Sequence, residues 1–137
     1  MTLMEKMNLE QMISDDKLYL LVVGSRSFNN FELLYRTLED IVGNNENVVI
    51  VSGGARGADT LARQYAELKK FEYKEFLAQW DLYGKSAGYR RNEHMHQFIA
   101  DKNNKMCIAF WDGKSVGTKH NFVLSEQYNN KLKIIRF

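Results

Sequence analysis

The sequence predicts a three-layer α/β sandwich, a single domain in which a mainly parallel five-stranded sheet lies between helices. Three observations carry this expectation. From Lys17 onward, short β-branched apolar runs alternate with longer segments of helical spacing, the pattern that strand-helix-strand units write into a chain. Three of those runs are nearly continuous, as strands buried on both faces are. Proline is absent and no low-complexity tract interrupts the 137 residues, so nothing marks a linker, a repeat or a second domain. With 45% hydrophobic residues the chain can bury one real core.

Taken in order, residues 1–17 scatter Leu3, Met4, Met7, Met12 and Ile13 among Glu5, Lys6, Glu10, Asp15 and Asp16. That stripe is broken, so the segment reads as a loosely attached N-terminal arm, the alternative being a contact in a homo-oligomer. The domain proper is expected over 18–137. Strands are expected at 18–23, 48–51, 73–77, 106–110 and 133–135, the first, second and fourth central. Between them Phe31, Leu34, Leu38, Ile41 and Val42 recur at helical steps, as do Leu61, Tyr65 and Leu68. Met95, Phe98 and Ile99 mark a third helix; Phe122, Leu124, Gln127 and Tyr128 suggest a fourth with less regular spacing. Right-handed crossovers then give a doubly wound, Rossmann-like sheet of order 3-2-1-4-5.

Composition narrows the function classes. With 19 Lys+Arg against 17 Asp+Glu the formal charge is only +2, so any anion site must be local rather than the product of a global field. Cys107, the single cysteine, lies in an apolar run, where it reads as a small buried hydrophobe; a disulfide framework is excluded. No window has the length of a membrane span and residues 1–17 hold no secretory apolar core, so the expected location is cytoplasmic, with no membrane partner. His94 and His96, two apart, diverge on a helix; with His120 they read as surface or capping residues, and no metal is expected.

Four segments that follow expected strands carry the chemistry, at the sheet edge where open α/β folds bind ligands. In the first, Gly24 permits a tight turn while Ser25 and Arg26 face a prospective anion; an ordinary turn with Asn29 or Asn30 as helix cap fits the same residues. In the second, Ser52, Gly53, Gly54, Ala55, Arg56, Gly57, Ala58 and Asp59 read as a phosphate loop opening a helix, although without a P-loop ending or the dinucleotide fingerprint spacing. A phosphate is expected over Gly53 and Gly54 and the helix start near Gly57, with the first loop closing one side. The third segment, residues 80–93, offers Trp80, Tyr83 or Tyr89 for stacking on a base and Arg91 for gripping phosphate in a fork, with Asn92 beside it as a further ligand-binding residue. The fourth, with Trp111, Asp112, Gly117 and Thr118, repeats the strand, turn and helix arrangement beside the first.

These stretches, above all Val-Val-Gly-Ser-Arg at 22–26, Ile-Val-Ser-Gly-Gly-Ala-Arg-Gly-Ala-Asp at 50–59, Trp-Asp-Leu-Tyr-Gly-Lys-Ser-Ala-Gly-Tyr at 80–89, Arg-Asn-Glu at 91–93 and Phe-Trp-Asp-Gly-Lys-Ser-Val-Gly-Thr-Lys-His at 110–120, resemble the YspA-like branch of the SLOG superfamily, related to DNA-processing protein A and the Lonely Guy phosphoribohydrolases. The resemblance implies a Rossmann-like domain that binds or senses a phosphate-bearing nucleotide derivative; no cofactor is identified beyond that nucleotide-type ligand. It also implies two alternatives. One is a single-stranded DNA-binding module like the DNA-processing proteins, using a local patch of Arg26, Arg56, Arg90 and Arg91 to track phosphates. The other is N-glycosidic cleavage of nucleoside monophosphates, with Glu93 assisting water and Arg91 holding the 5′-phosphate. Against cleavage, the Lonely Guy enzymes carry a Pro-Gly-Gly-x-Gly-Thr loop followed by glutamate, whereas here Lys119 and His120 follow Gly117 and Thr118. Binding without turnover is the leading expectation.

Overall fold

The computed structural model describes residues 1–7, 9 and 17–137. Its elements run β1 (Leu18–Gly24), α1 (Phe31–Val42), β2 (Val48–Ser52), α2 (Ala58–Lys69), β3 (Glu72–Glu75), a single turn α3 (Trp80–Tyr83) followed by a 3-10 turn (Gly84–Ser86), α4 (Ala87–Ala100), β4 (Asn104–Trp111), α5 (Val116–Gln127) and β5 (Leu132–Arg136). The sheet has order β3-β2-β1-β4-β5, and every pairing is parallel. The expected order and parallel architecture are those of the molecule.

Alternation along the central strands sends side chains to two cores. Leu20, Val22, Ile50, Ile108 and Phe110 meet Leu34 and Leu38 of α1 and Ala62, Tyr65 and Ala66 of α2. Leu21, Val23, Val51, Cys107 and Ala109 meet Met95 and Ile99 of α4. Helices therefore cover both faces. Cys107 is fully buried, and burial pushes its thiol up to about 12, so it stays protonated.

Three elements differ from expectation in informative ways. Leu68 is 62% exposed; α2 turns its alanines inward with Tyr65 instead, and these small side chains let the helix lie close to the sheet. β3 ends at Glu75 because its partner β2 ends at Ser52, which leaves Leu77 in solvent. Helix α4 begins at Ala87, well before the apolar signal at Met95, since its first turns border a polar cavity. Part of the expected N-terminal arm, residues 8 and 10–16, lies outside the described residues. Residues 3–7 form a helical turn, with the Thr2 hydroxyl accepting from the Glu5 amide at 3.2 Å, and Leu3, Met4 and Met7 are exposed.

Candidate functional site

The chain leaves β1 toward one side of the sheet and β4 toward the other, so a crevice opens between the C-terminal ends of these neighbouring strands. The register sets Gly24 opposite Phe110, and the Ser25 amide donates to the Phe110 carbonyl at 2.9 Å. This holds the first loop against the fourth. Phe28 then turns inward to stack on Phe110 with ring centroids 4.6 Å apart, anchoring the loop and leaving Arg26 exposed to the crevice.

The crevice is a cavity of about 740 Å³, within the usual range for a small-molecule site. Of the sequence-predicted residues it brings together Gly24, Ser25, Arg26, Ala55, Asp59, Arg91, Asn92, Asp112, Gly117 and Thr118. Arg56, Trp80, Lys85 and Tyr89 join them, as do Met95 and Asn121, which the sequence reading had missed. Asn121 stands one helical turn beyond Gly117, so the spacing alone could have placed it on the same face. Four cationic side chains thus meet two carboxylates, Asp59 and Asp112.

Ser52, Gly53, Gly54, Gly57, Ala58 and Trp111 lie behind or beside this cavity rather than on it. Gly57 has φ +83°, and a Cβ there would stand 2.5 Å from the Ser25 carbonyl oxygen; its missing side chain lets the first and second loops touch. Gly53 carries the Arg91 guanidinium, whose Nη1 donates to the Gly53 carbonyl at 2.7 Å. Trp111 supports the fourth loop by donating from Nε1 to the Ser115 carbonyl at 3.1 Å.

Two amides of the second loop are engaged by a carboxylate of the chain itself. The Ala55 amide donates to Asp59 Oδ2 at 3.0 Å, and the Gly53 amide also hydrogen-bonds this carboxylate. Burial lifts the Asp59 carboxyl from 3.8 to about 6, against the pull of the Ala55 amide and the Arg91 charge. Asp112 is the opposite case: amides of Ser115 and Lys114, at 2.8 and 2.9 Å from Oδ1, hold it below the usual carboxylate range.

Arg91 is the most constrained cation. Burial lowers its pKa, the Asp59 charge partly offsets this, and the neighbouring Arg26 adds to the lowering. Among the described residues neither Arg26 nor Arg56 has a carboxylate within ion-pair distance. The arrangement suits an anion that would sit among the three guanidinium groups.

Known proteins place this architecture. The profile of the YspA, cpYpsA-related SLOG family matches residues 19–83, and the Gene 61 protein of Mycobacterium phage D29 is 37% identical over 106 residues, covering 73% of this chain and 82% of that protein. The chain belongs to the YspA, cpYpsA-related SLOG family. A solved structure of DNA processing protein A from Helicobacter pylori, described for its single-stranded DNA binding mode, shares the fold of the SLOG chain with a TM-score of 0.57 at 19% identity, covering 90% of this chain and 67% of that one.

In the SLOG chain the remaining candidates are dispersed. Arg90 does not line the cavity with Arg26, Arg56 and Arg91; its guanidinium lies 4.4 Å from the Tyr83 ring centroid. Glu93 accepts from the Tyr128 hydroxyl at 3.0 Å and does not line the cavity. His96 is fully buried, neither a surface nor a capping residue: its Nε2 meets Asn121 Oδ1 at 3.1 Å and its Nδ1 meets Asn130 Nδ2 at 3.0 Å. Burial lowers its pKa to about 4, so the neutral ring donates to Asn121 and accepts from Asn130. Asn121 in turn donates to the Gly117 carbonyl at 3.2 Å, tying α4 to the first turn of α5. Among the described residues no group of three or more His, Cys, Asp or Glu is placed to hold a metal ion, and no helix is long and apolar enough to cross a membrane.

Proposed function

We propose that the switch-point cavity binds a phosphate-bearing nucleotide or nucleotide derivative. The observation that carries this reading is the convergence of Arg26, Arg56 and Arg91 on one cavity that Trp80 and Tyr89 also line. Guanidinium groups recognise phosphate oxygens as paired donors, and the aromatic rings offer flat apolar faces to a base. An incoming phosphate would offset the mutual repulsion of Arg91 and Arg26. The grip assigned here is by side chains, because Asp59 already engages the second-loop amides.

A second reading is a single-stranded DNA-binding module, and the observation favouring it is the shared fold with DNA processing protein A. The same cavity would then take one nucleotide of a strand. An N-glycosidic hydrolase has less support, since Glu93 is engaged with Tyr128 outside the cavity.

Calorimetric titration of nucleoside mono- and diphosphates and ADP-ribose tests the first reading. Arg56→Ala should weaken the best ligand by about 1.5 to 3 kcal/mol, the scale of hydrogen bonds to a charged group, with thermal melting unaltered because the exposed Arg56 side chain makes no hydrogen bond among the described residues. Unchanged affinity in this variant would remove the phosphate role of the arginine cluster. Tight binding of oligothymidylate with an affinity that falls steeply as salt rises, in the absence of binding to any mononucleotide, would favour the second reading.

A further inference from the structure

Beside the switch-point cavity lies a second, of about 600 Å³, bordered by Gly53, Gly54, Leu77 and Ala78. The two are contiguous. Arg26, Ala55, Arg56, Trp80 and Arg91 line both, so the three guanidinium groups mark the boundary between two chambers rather than the floor of one. Arg91 is fixed at that boundary. Its Nη1 is bonded to the Gly53 carbonyl at 2.7 Å, and a Cβ on Gly53 would come within 2.5 Å of the same nitrogen, so the bare glycine lets the guanidinium lie across the divide.

The chambers also differ in character on either side of this charge. The first carries the aromatic edge of Tyr89 and the polar wall of Asn92 and Asn121; the second carries Leu77 and Ala78, with Leu77 65% exposed. Trp80, half exposed, stands between them, its indole 3.5 Å from where a Cβ on Gly88 would lie. An apolar side chain held in solvent next to a cluster of arginines, two of which have no carboxylate within ion-pair distance among the described residues, fits a flat, partly apolar group joined to an anion. Each volume is large enough for one such group.

We infer that the natural ligand is bipartite: two nucleosides joined through a phosphodiester, with the bridging phosphate on Arg26, Arg56 and Arg91 and one nucleoside in each chamber. This rests on the reading of the first chamber as a nucleotide site and extends it to a ligand class. A diester carries one negative charge and exposes two oxygens to opposite sides, which matches cations reached from both chambers. A free dinucleotide and the terminus of a single strand share this chemistry.

The test is calorimetric titration with three probes: adenosine 5′-monophosphate, adenylyl-(3′→5′)-adenosine, and a 20-nucleotide oligoadenylate, purines being chosen for their strong stacking. Adenylyl-adenosine should bind about ten- to a hundredfold more tightly than the monophosphate, the scale of one added base stack. In Leu77→Asp, which places a carboxylate in the second chamber at an exposed position, that ratio should collapse to about one. Equal affinities in the natural chain would overturn the bipartite ligand while leaving the mononucleotide site standing. Failure of all three probes to bind would overturn both this inference and the reading it rests on for adenine nucleotides. If the inference holds, affinity per binding site that plateaus at the dinucleotide identifies a free dinucleotide as the source, and a further gain with the 20-mer identifies a strand.

Discussion

Asp59 and His96 are buried titratable groups whose contributions to stability oppose each other over one range of pH. The folded chain holds the Asp59 proton up to about pH 6, against 3.8 when exposed. That contribution is fully present below the unfolded value and is lost as pH rises through about 6. For His96 the folded value, about 4, lies below the ordinary 6.5, so its contribution is present above the unfolded value and is lost as pH falls toward 4. Thermal melts of Asp59→Asn and His96→Gln from about pH 4 to 7 should separate the two. Relative to the natural chain, the Asn variant should gain as pH rises through this window and the Gln variant should lose. Gaps that stay constant across the window would contradict the burial ascribed to these groups.

At the scale of elements, α1 and α5 are each closed by a side-chain cap, and only one cap borders the cavity. Asn30 accepts from the Leu33 amide at 3.0 Å and does not line the cavity, whereas Ser115 accepts from the Thr118 amide at 3.3 Å on the cavity wall. Asn30→Ala and Ser115→Ala should each cost about 1 kcal/mol of stability. Hydrogen exchange should then quicken in the first turn of α1 in one and of α5 in the other, with nucleotide affinity falling only in Ser115→Ala. An equal loss of affinity in both would show that global stability, not the α5 terminus, governs the site. The caps also bear on what the sequence discloses. Helix α1 was legible because Leu34, Leu38 and Val42 face an apolar core. Helix α5 was only faintly so, since Thr118, Asn121 and Ser125 are among its buried residues, and a face turned toward polar partners leaves no hydrophobic period to read.

Over the whole molecule, three continuous apolar runs sufficed to name the central strands, and the rule for right-handed crossovers then supplied their order. Which loops gather at the switch point followed from that order. What the sequence withheld was how the second loop uses its amides: Asp59 reads as one more ligand-binding residue of a phosphate loop, and nothing in its spacing says that its carboxylate turns back to Ala55. Glycines at 53 and 57 likewise read as room for a ligand, yet the nearest atoms to their missing side chains belong to Arg91 and to the first loop. The proposed anion site therefore rests on the arginines at the mouth of the fold. A crystal structure of the chain grown with a saturating nucleoside diphosphate tests it most directly: the phosphates should lie within hydrogen-bond distance of Arg26, Arg56 and Arg91 with Asp59 still bonded to the Ala55 amide, and phosphates seated instead on the Gly53 and Ala55 amides with Asp59 displaced, or bound away from this cavity, would contradict it.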